Sequence, residues 1–206
     1  MASYQFRPVP QPLAVFEHLV ASQTQTLVIK ETGDHFDVKT LDGRPWMNVK
    51  PKYPTAHGRK KVYDAAGHHL FDMIKETFHW AWHPTYSIQV ESGKKEHMKV
   101  KYKWTIANTK AHATFTTARG TPVTLVMEGK WPSQSVDIVD KASGALAARI
   151  ERKRSDVRQI LREVVGQQTY HATVAPNVDT ALIVAMCVCL DEKKEDGGNQ
   201  GVCTVI

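Results

Sequence analysis

From Leu27 onward, apolar residues recur at every second position in short runs separated by turn-forming residues, the pattern of half-buried antiparallel strands. The clearest run is EHMKVKYKWTI, where Met98, Val100, Tyr102, Trp104 and Ile106 alternate with Lys99, Lys101, Lys103 and Thr105. Such a strand sets one face against a core and displays lysines on the other. Comparable runs are TLVIKE, HFDVKTL, PWMNVK, KKVYDAA, HLFDMIKE, FHWAWH, TYSIQVE, ATFTTA, VTLVMEGKW, SVDIVDK, ALAARIER, VRQILREVV and YHATVAP. Gly33-Asp34, Asp42-Gly43, Ala66-Gly67, Ser92-Gly93, Arg119-Gly120 and Ser143-Gly144 supply the tight-turn residues that hairpins between them require. SDVRQILREVVG also meets helical spacing through Val157, Ile160, Leu161 and Val164, so a strand and a short amphipathic helix both fit it.

One stretch breaks the alternation. ALIVAMCVCL, Ala181 to Leu190, is apolar at every position. Asn177 is placed to cap a helix there, Asp179 and Thr180 fall in its first turn, Lys193 and Lys194 follow the apolar run, and Gly197-Gly198 closes it. Ten helical residues rise about 15 Å, half of what a bilayer core demands, so the stretch is a core helix rather than a membrane span. A helix with no polar face must be buried on every side. An eight-stranded barrel holds only side chains, whereas a helix about 10 Å across needs a wider one. The pattern therefore predicts a mainly β fold, a closed antiparallel barrel of about twelve strands around a central apolar C-terminal helix. Residues 1–25 are expected as an N-terminal extension, 26–192 as the barrel with its helix at 178–192, and 193–206 as a flexible tail ending in CTVI.

Composition narrows the class. Apolar residues make up 42% and charged residues 23% of the 206, which suits one ordinary globular domain and excludes disorder or a fibrous repeat. Three cysteines, few and odd in number, fit a reducing compartment, and the first twenty residues carry no secretory signal pattern, so a cytoplasmic protein is expected. A net charge of +6 admits acidic partners without choosing among them.

The succession FDVKTLDGRPWMNV, RKKVYDAAGHHLFDMIK, FHWAWHPTYSIQ and YHATVAPNVDTALIVAMCVCLDE resembles the LURP-one-related proteins, which group with Tubby C-terminal domains and phospholipid scramblases. The resemblance runs from about Thr26 to Glu192 and is most specific in VYDAAGHHL and VAPNVDTALIVA. It implies a twelve-stranded antiparallel barrel around a largely apolar C-terminal helix. It also brings the expectation set by Tubby domains, which resemble phosphoinositide-binding membrane adaptors, while the LURP-one-related branch itself has no assigned chemistry. Fold transfers across such a superfamily more readily than function. The long proline-rich leader and terminal apolar span of scramblases are not matched here, which places a scramblase-like activity behind the alternatives.

Signatures of catalysis are not found: GxGxxG, GxxxxGK[ST], GxSxG and HExxH do not occur. No catalytic residue, cofactor or metal is expected. His79 and His83 would lie about 13 Å apart on a strand, too far to share an ion, even with His68 and His69 near in sequence. Cys187 and Cys189 would point to opposite sides of the helix and behave as buried apolar groups. Trp80, Trp82, Trp104 and Trp131 are expected in the core.

The basic clusters are the candidate chemistry. Arg59, Lys60 and Lys61 form one, Lys94, Lys95, Lys99, Lys101 and Lys103 a second, and Arg149, Arg152, Lys153, Arg154, Arg158 and Arg162 a third. They serve either as solvated strand faces that protect edges or as a surface for headgroup phosphates. From these, Arg59, Lys60, Lys61, Lys99, Lys101, Lys103, Arg152, Lys153 and Arg154 are taken as candidate lipid-binding residues. CTVI places Cys203 in a CaaX prenylation pattern, making the chain a candidate prenyltransferase substrate. The expected function is a non-enzymatic module that associates with acidic phospholipid or phosphoinositide surfaces on the cytosolic face of a membrane. The alternative is a soluble protein-interaction or transcription-linked adaptor; nucleic acid is not expected, since no base-reading element is seen.

Overall fold

The computed structural model describes residues 6–52, 58–76, 85–90, 95–103, 109–129, 135–153 and 168–198. Strands β1 (Gln25–Thr32), β2 (His35–Thr40), β3 (Pro45–Pro51), β4 (Lys60–Asp64), β5 (His69–Glu76), β6 (Thr85–Val90), β7 (Lys95–Lys103), β8 (Thr109–Thr116), β9 (Pro122–Gly129), β10 (Ser135–Asp140), β11 (Leu146–Lys153) and β12 (Thr169–Val174) precede a helix, α1 (Thr180–Gly198). Each strand pairs antiparallel with its chain neighbour, and β1 pairs with β12, so the twelve close into a ring. FHWAWH and VRQILREVV, and with them Trp80, Trp82, Trp104 and Trp131, lie outside the described residues.

Alternation decides which way each strand faces. In β1, Leu27 and Ile29 are fully buried while Val28 and Lys30 turn outward, and the closing register sets Leu27 against Ala172 and Ile29 against Tyr170. Met98 and Val100 of β7 are buried in the same way. Bulges at Val38/Lys39, Val62/Tyr63, Ile88/Gln89 and Ile138/Val139 add the local twist that curls a sheet into a ring. The three-residue turn Leu41-Asp42-Gly43 needs the positive φ that Gly43 adopts, +86°; the Gly43 N–H donates to the Thr40 carbonyl at 2.9 Å and the Thr40 N–H to the Arg44 carbonyl at 2.9 Å.

Inside the ring lies α1. Every residue from Ala181 to Leu190 is buried, as a helix without a polar face requires. Burial of Leu182, Ile183, Val184, Met186, Val188 and Leu190 is worth on the order of 10 kcal/mol before chain entropy is subtracted. Cys187 and Cys189 lie among them, and burial pushes both thiols well above their ordinary value, which makes them apolar filling.

Two details of the helix differ from the sequence pattern. Asn177 does not cap it: its φ of +69° is incompatible with the extended backbone of an N-cap, and its amide instead donates to the Val9 carbonyl at 3.2 Å. Asp179 takes the role, its Oδ1 accepting from the Ala181 N–H at 2.9 Å. At the other end the helix continues through residues 193–198, where a tail was expected, because Lys193, Lys194 and Glu195 are good helix formers and Gly197-Gly198 is the first real stop signal.

The segment before β1 seals the end of the barrel from which α1 starts. Val9, Leu13, Ala14, Leu19 and Ala21 are buried, and Leu13 and Val20 form bridges to Val178 and Asp179. Phe16 stacks on Phe71 with ring centroids 5.5 Å apart. This strap is tied by backbone bonds from Leu13 N–H to the Asn177 carbonyl (2.9 Å) and from Ala21 N–H to the Val178 carbonyl (2.9 Å).

Candidate functional site

Strand direction alternates around the ring, so the barrel has a strap end and an opposite, tail end. The strap end holds the start of α1, where the Trp46 indole N–H donates to Thr180 Oγ1 (3.1 Å) and that hydroxyl donates to the Leu19 carbonyl (3.0 Å). The tail end holds its last turns, pinned by Lys60 and Tyr170. β1, β3, β5, β7, β9 and β11 run towards the tail end, and the even-numbered strands start there.

The interior of the tail end is polar. The Tyr170 hydroxyl donates to Asp191 on α1 and lies 2.8 Å from Gln168 Oε1; burial, then the Asp191 charge, pushes the phenol well above its ordinary value. Glu31 and Asp191 are buried beside it. Lys60 belongs to this interior. Its Cα shares the inward parity of Val62, it is only 7% exposed, and its ammonium donates to the Asp34 carbonyl (2.9 Å), pairs with Glu192 (2.8 Å) and lies 5.3 Å from the Phe36 ring centre. It therefore locks α1 into the mouth of the barrel and is not part of an outer basic face.

The other candidates stand as follows. Arg59 lies on the outer wall over Asp72, a fully buried carboxylate that also accepts from His69 Nε2 at 2.9 Å. Burial opposes ionisation of Asp72, but the hydrogen bonds and charges of Arg59 and His69 outweigh it and hold the carboxyl below its ordinary value. Lys99 pairs with Glu76 at 3.2 Å. Lys61 and Lys101 face outward, and Lys153 closes the outer row of β11. Arg152 has the inward parity of Ile150 and stands opposite Tyr170 at the inner lip. Lys103 ends β7 opposite Lys110; its side chain, Arg154 and Cys203 lie outside what is described. Among the described residues, Lys30, Lys61, Lys101, Arg152 and Lys153 form no ion pair.

These clusters do not share a wall. Lys61 on β4, Lys101 on β7 and Lys153 on β11 are three and four strands apart around the ring. What they share is an end: Lys61 is second in β4, Lys101 third from the end of β7, and Lys153 the last of β11, all at the tail end. Lys30, absent from any cluster in the sequence, joins them, because closure of the ring sets Thr169 between Lys30 and Lys153. Burial, then the nearby Lys153 charge, holds His171 below the usual imidazole value, despite Glu151.

The strap end is chemically different. Arg44 pairs with Asp42 (2.7 Å) and Arg119 with Glu17 (3.7 Å), and Asp140 is consumed by the N–H groups of Ala142 and Ser143 in its own turn. A shallow groove of about 500 Å³ runs there between Pro10–Leu13 and the β8–β9 and β10–β11 turns, lined by Gln11, Thr121, Val123 and Ser143. Among the described residues no group of His, Cys, Asp and Glu is arranged to hold a metal ion, and no helix is long and apolar enough to cross a membrane.

A closed twelve-stranded antiparallel barrel with its C-terminal helix threaded through the middle is the Tubby C-terminal-like class of protein. Within that class residues 24–191 match the LURP-one-related family model, and the chain belongs to this family. The X-ray structure of a protein from Arabidopsis thaliana aligns with a TM-score of 0.63 at 18% identity, over 89% of this chain and 99% of that one. No curated protein matches the sequence.

Proposed function

We propose that this Tubby-like domain is a non-enzymatic module that binds the anionic surface of phospholipid membranes. The observation that carries the proposal is a set of cations, Lys30, Lys61, Lys101, Arg152 and Lys153, which form no ion pair with any described carboxylate although the same barrel pairs Arg44, Arg59, Lys60, Lys110, Arg119 and Arg149. Charges left without partners are available to headgroup phosphates at about 1 kcal/mol each close to a membrane surface, so these supply on the order of 5 kcal/mol. A prenyl group on Cys203 is the second part of the proposal. One lipid chain alone gives marginal, reversible attachment, and a basic surface supplies the second signal that stable binding needs.

Flotation with phosphatidylcholine vesicles, with and without phosphatidylserine, tests the first part against DNA retention at matched salt. Salt-sensitive flotation only with the anionic lipid is expected; equal flotation with both, or stronger retention on DNA, defeats it. Cys203→Ser tests the second. An unchanged division between membrane and soluble fractions in cells would rule the prenyl tether out.

A further inference from the structure

We propose that the groove at the strap end binds an extended acidic peptide, with an aliphatic side chain seated between strap and wall and carboxylates reaching a cation at either end. This surface is independent of the membrane-binding function proposed above. Its floor is apolar: Leu13 of the strap is buried, and Val123, which shares the inward parity of Leu125 and Met127, is half-buried at the rim. A second hollow of about 90 Å³ shares Gln11, Leu13, Thr121 and Val123 with the groove, so the two run together from Arg119 to Lys141. Those cations stand on the β8–β9 and β10–β11 turns, whose centres are two strand spacings apart, about 10 Å, the length of about three extended residues. No single phosphate spans that distance, and an apolar floor between the cations gives a sugar–phosphate chain nothing to bury.

Charge and hydrogen bonding both favour such a guest. Among the described residues Lys141 forms no ion pair, and Arg119 meets Glu17 only at 3.7 Å, with side chains 71% and 64% exposed, a contact worth little and readily exchanged. Asp140, the carboxylate among the lining residues, is buried and accepts the N–H groups of Ala142 and Ser143, so its charge is already met. The Gln11 amide and the Thr121 and Thr124 hydroxyls line the groove and make no hydrogen bond among the described residues. At the same end the Asn177 amide and the Thr117 and Thr180 hydroxyls are all engaged. An apolar hollow with a few open polar groups is the common make-up of a binding site, and amides and hydroxyls suit the N–H and C=O groups of an extended backbone. The walls are already fixed. The Thr117 N–H donates to the Thr121 carbonyl, the Lys141 N–H to the Thr124 carbonyl and the Leu13 N–H to the Asn177 carbonyl, each at 2.9 Å, so binding has little order to impose on the protein.

The experiment selects, with the full chain, from a library of short peptides that hold leucine at the centre and vary at every flanking position, then measures the enriched peptide by fluorescence anisotropy. Enrichment of aspartate and glutamate on both sides of the leucine is expected; neutral or basic flanks, or no enrichment, overturn the proposal. Arg119→Glu/Lys141→Glu should weaken the enriched peptide on the order of tenfold and turn the selection towards lysine and arginine. Gln11→Ala should weaken it about threefold. Lys39→Glu/Lys50→Glu, which changes the net charge equally but away from the groove, should alter it no more than about twofold. An equal loss in the two charge-reversed doubles would show attraction to the basic chain as a whole and defeat the assignment to the groove. Unchanged melting of each variant confirms that exposed side chains were altered without unfolding the barrel.

Discussion

Asp179 joins three parts of the chain and gives the sharpest prediction. Its Oδ2 accepts the N–H groups of Val15 (3.1 Å) and Phe16 (2.7 Å) from the strap, while its Oδ1 accepts that of Ala181 at the start of α1 (2.9 Å). Asp179→Ala strands these donors in a site the solvent does not reach. A lost N-cap costs about 1 kcal/mol, and each of the two strap donors left unsatisfied about 1–3 kcal/mol, so the variant should lose roughly 3–7 kcal/mol of a total that is typically about 5–15. Urea unfolding followed by tryptophan fluorescence measures it; a loss below about 1 kcal/mol would refute the tie. The acid also carries a pH signature. Burial raises its pKa to about 6 against the opposing pull of the backbone N–H groups. The folded-state pKa lies above the unfolded value, so this contribution to stability is fully present below about pH 4 and is lost as the pH rises through 6. The two-unit gap is worth about 3 kcal/mol. Asp179→Asn, which cannot titrate, should lack this decline, so the stability difference between wild type and variant must change between pH 4 and 6. A constant difference across that range would show that the carboxylate titrates normally.

Three further outcomes follow from the described contacts. Lys60→Met should destabilise by about 3–5 kcal/mol, because it leaves Glu192 charged in the barrel mouth, and adding Glu192→Gln should recover much of the loss in the same denaturation assay. Tyr170→Phe, which deprives Asp191 of a buried donor, should cost about 1–2 kcal/mol in thermal or urea unfolding. Asp72→Asn should remove a carboxylate whose pKa is depressed; its stabilisation is present above the unfolded value near 3.8 and lost as pH falls further, so the variant should flatten the acid limb of the pH–stability curve.

Much of the fold is legible in the chain because a barrel with a filled interior imposes period two on every strand and forbids a polar face on the helix. HLFDMIKE is β5 residue for residue, and ALIVAMCVCL is buried from its first residue to its last. The strap is less legible: Val9, Leu13 and Leu19 follow neither period, since that segment is held by separate bridges and backbone bonds to Asn177 and Val178. The basic residues are the instructive case. Lys60 reads as one of a basic trio, yet it shares the parity of Val62, and that alternation alone puts it inside. Lys30 and Lys153 are remote in sequence and meet across Thr169 only because the ring closes with one register. The convergence of Lys61, Lys101 and Lys153 on one end was implicit once an up-and-down order was accepted, since odd strands finish where even strands begin.

Closure of the ring by its first and last strands has a consequence for synthesis. Gln25 of β1 meets Val174 of β12, and the filler of the interior is translated after both. A ribosome-bound chain holding β1 to β11 has made every hairpin but the last and has neither the strand that closes the wall nor the helix that fills it, so its apolar faces stay open until residues near 190 have left the exit tunnel. Such high contact order makes folding a late, all-or-none event that follows translation. A stop codon between Thr180 and Leu190 should therefore be as damaging as one near the start, and the nascent protein should depend on chaperones that shield its strands until α1 has emerged.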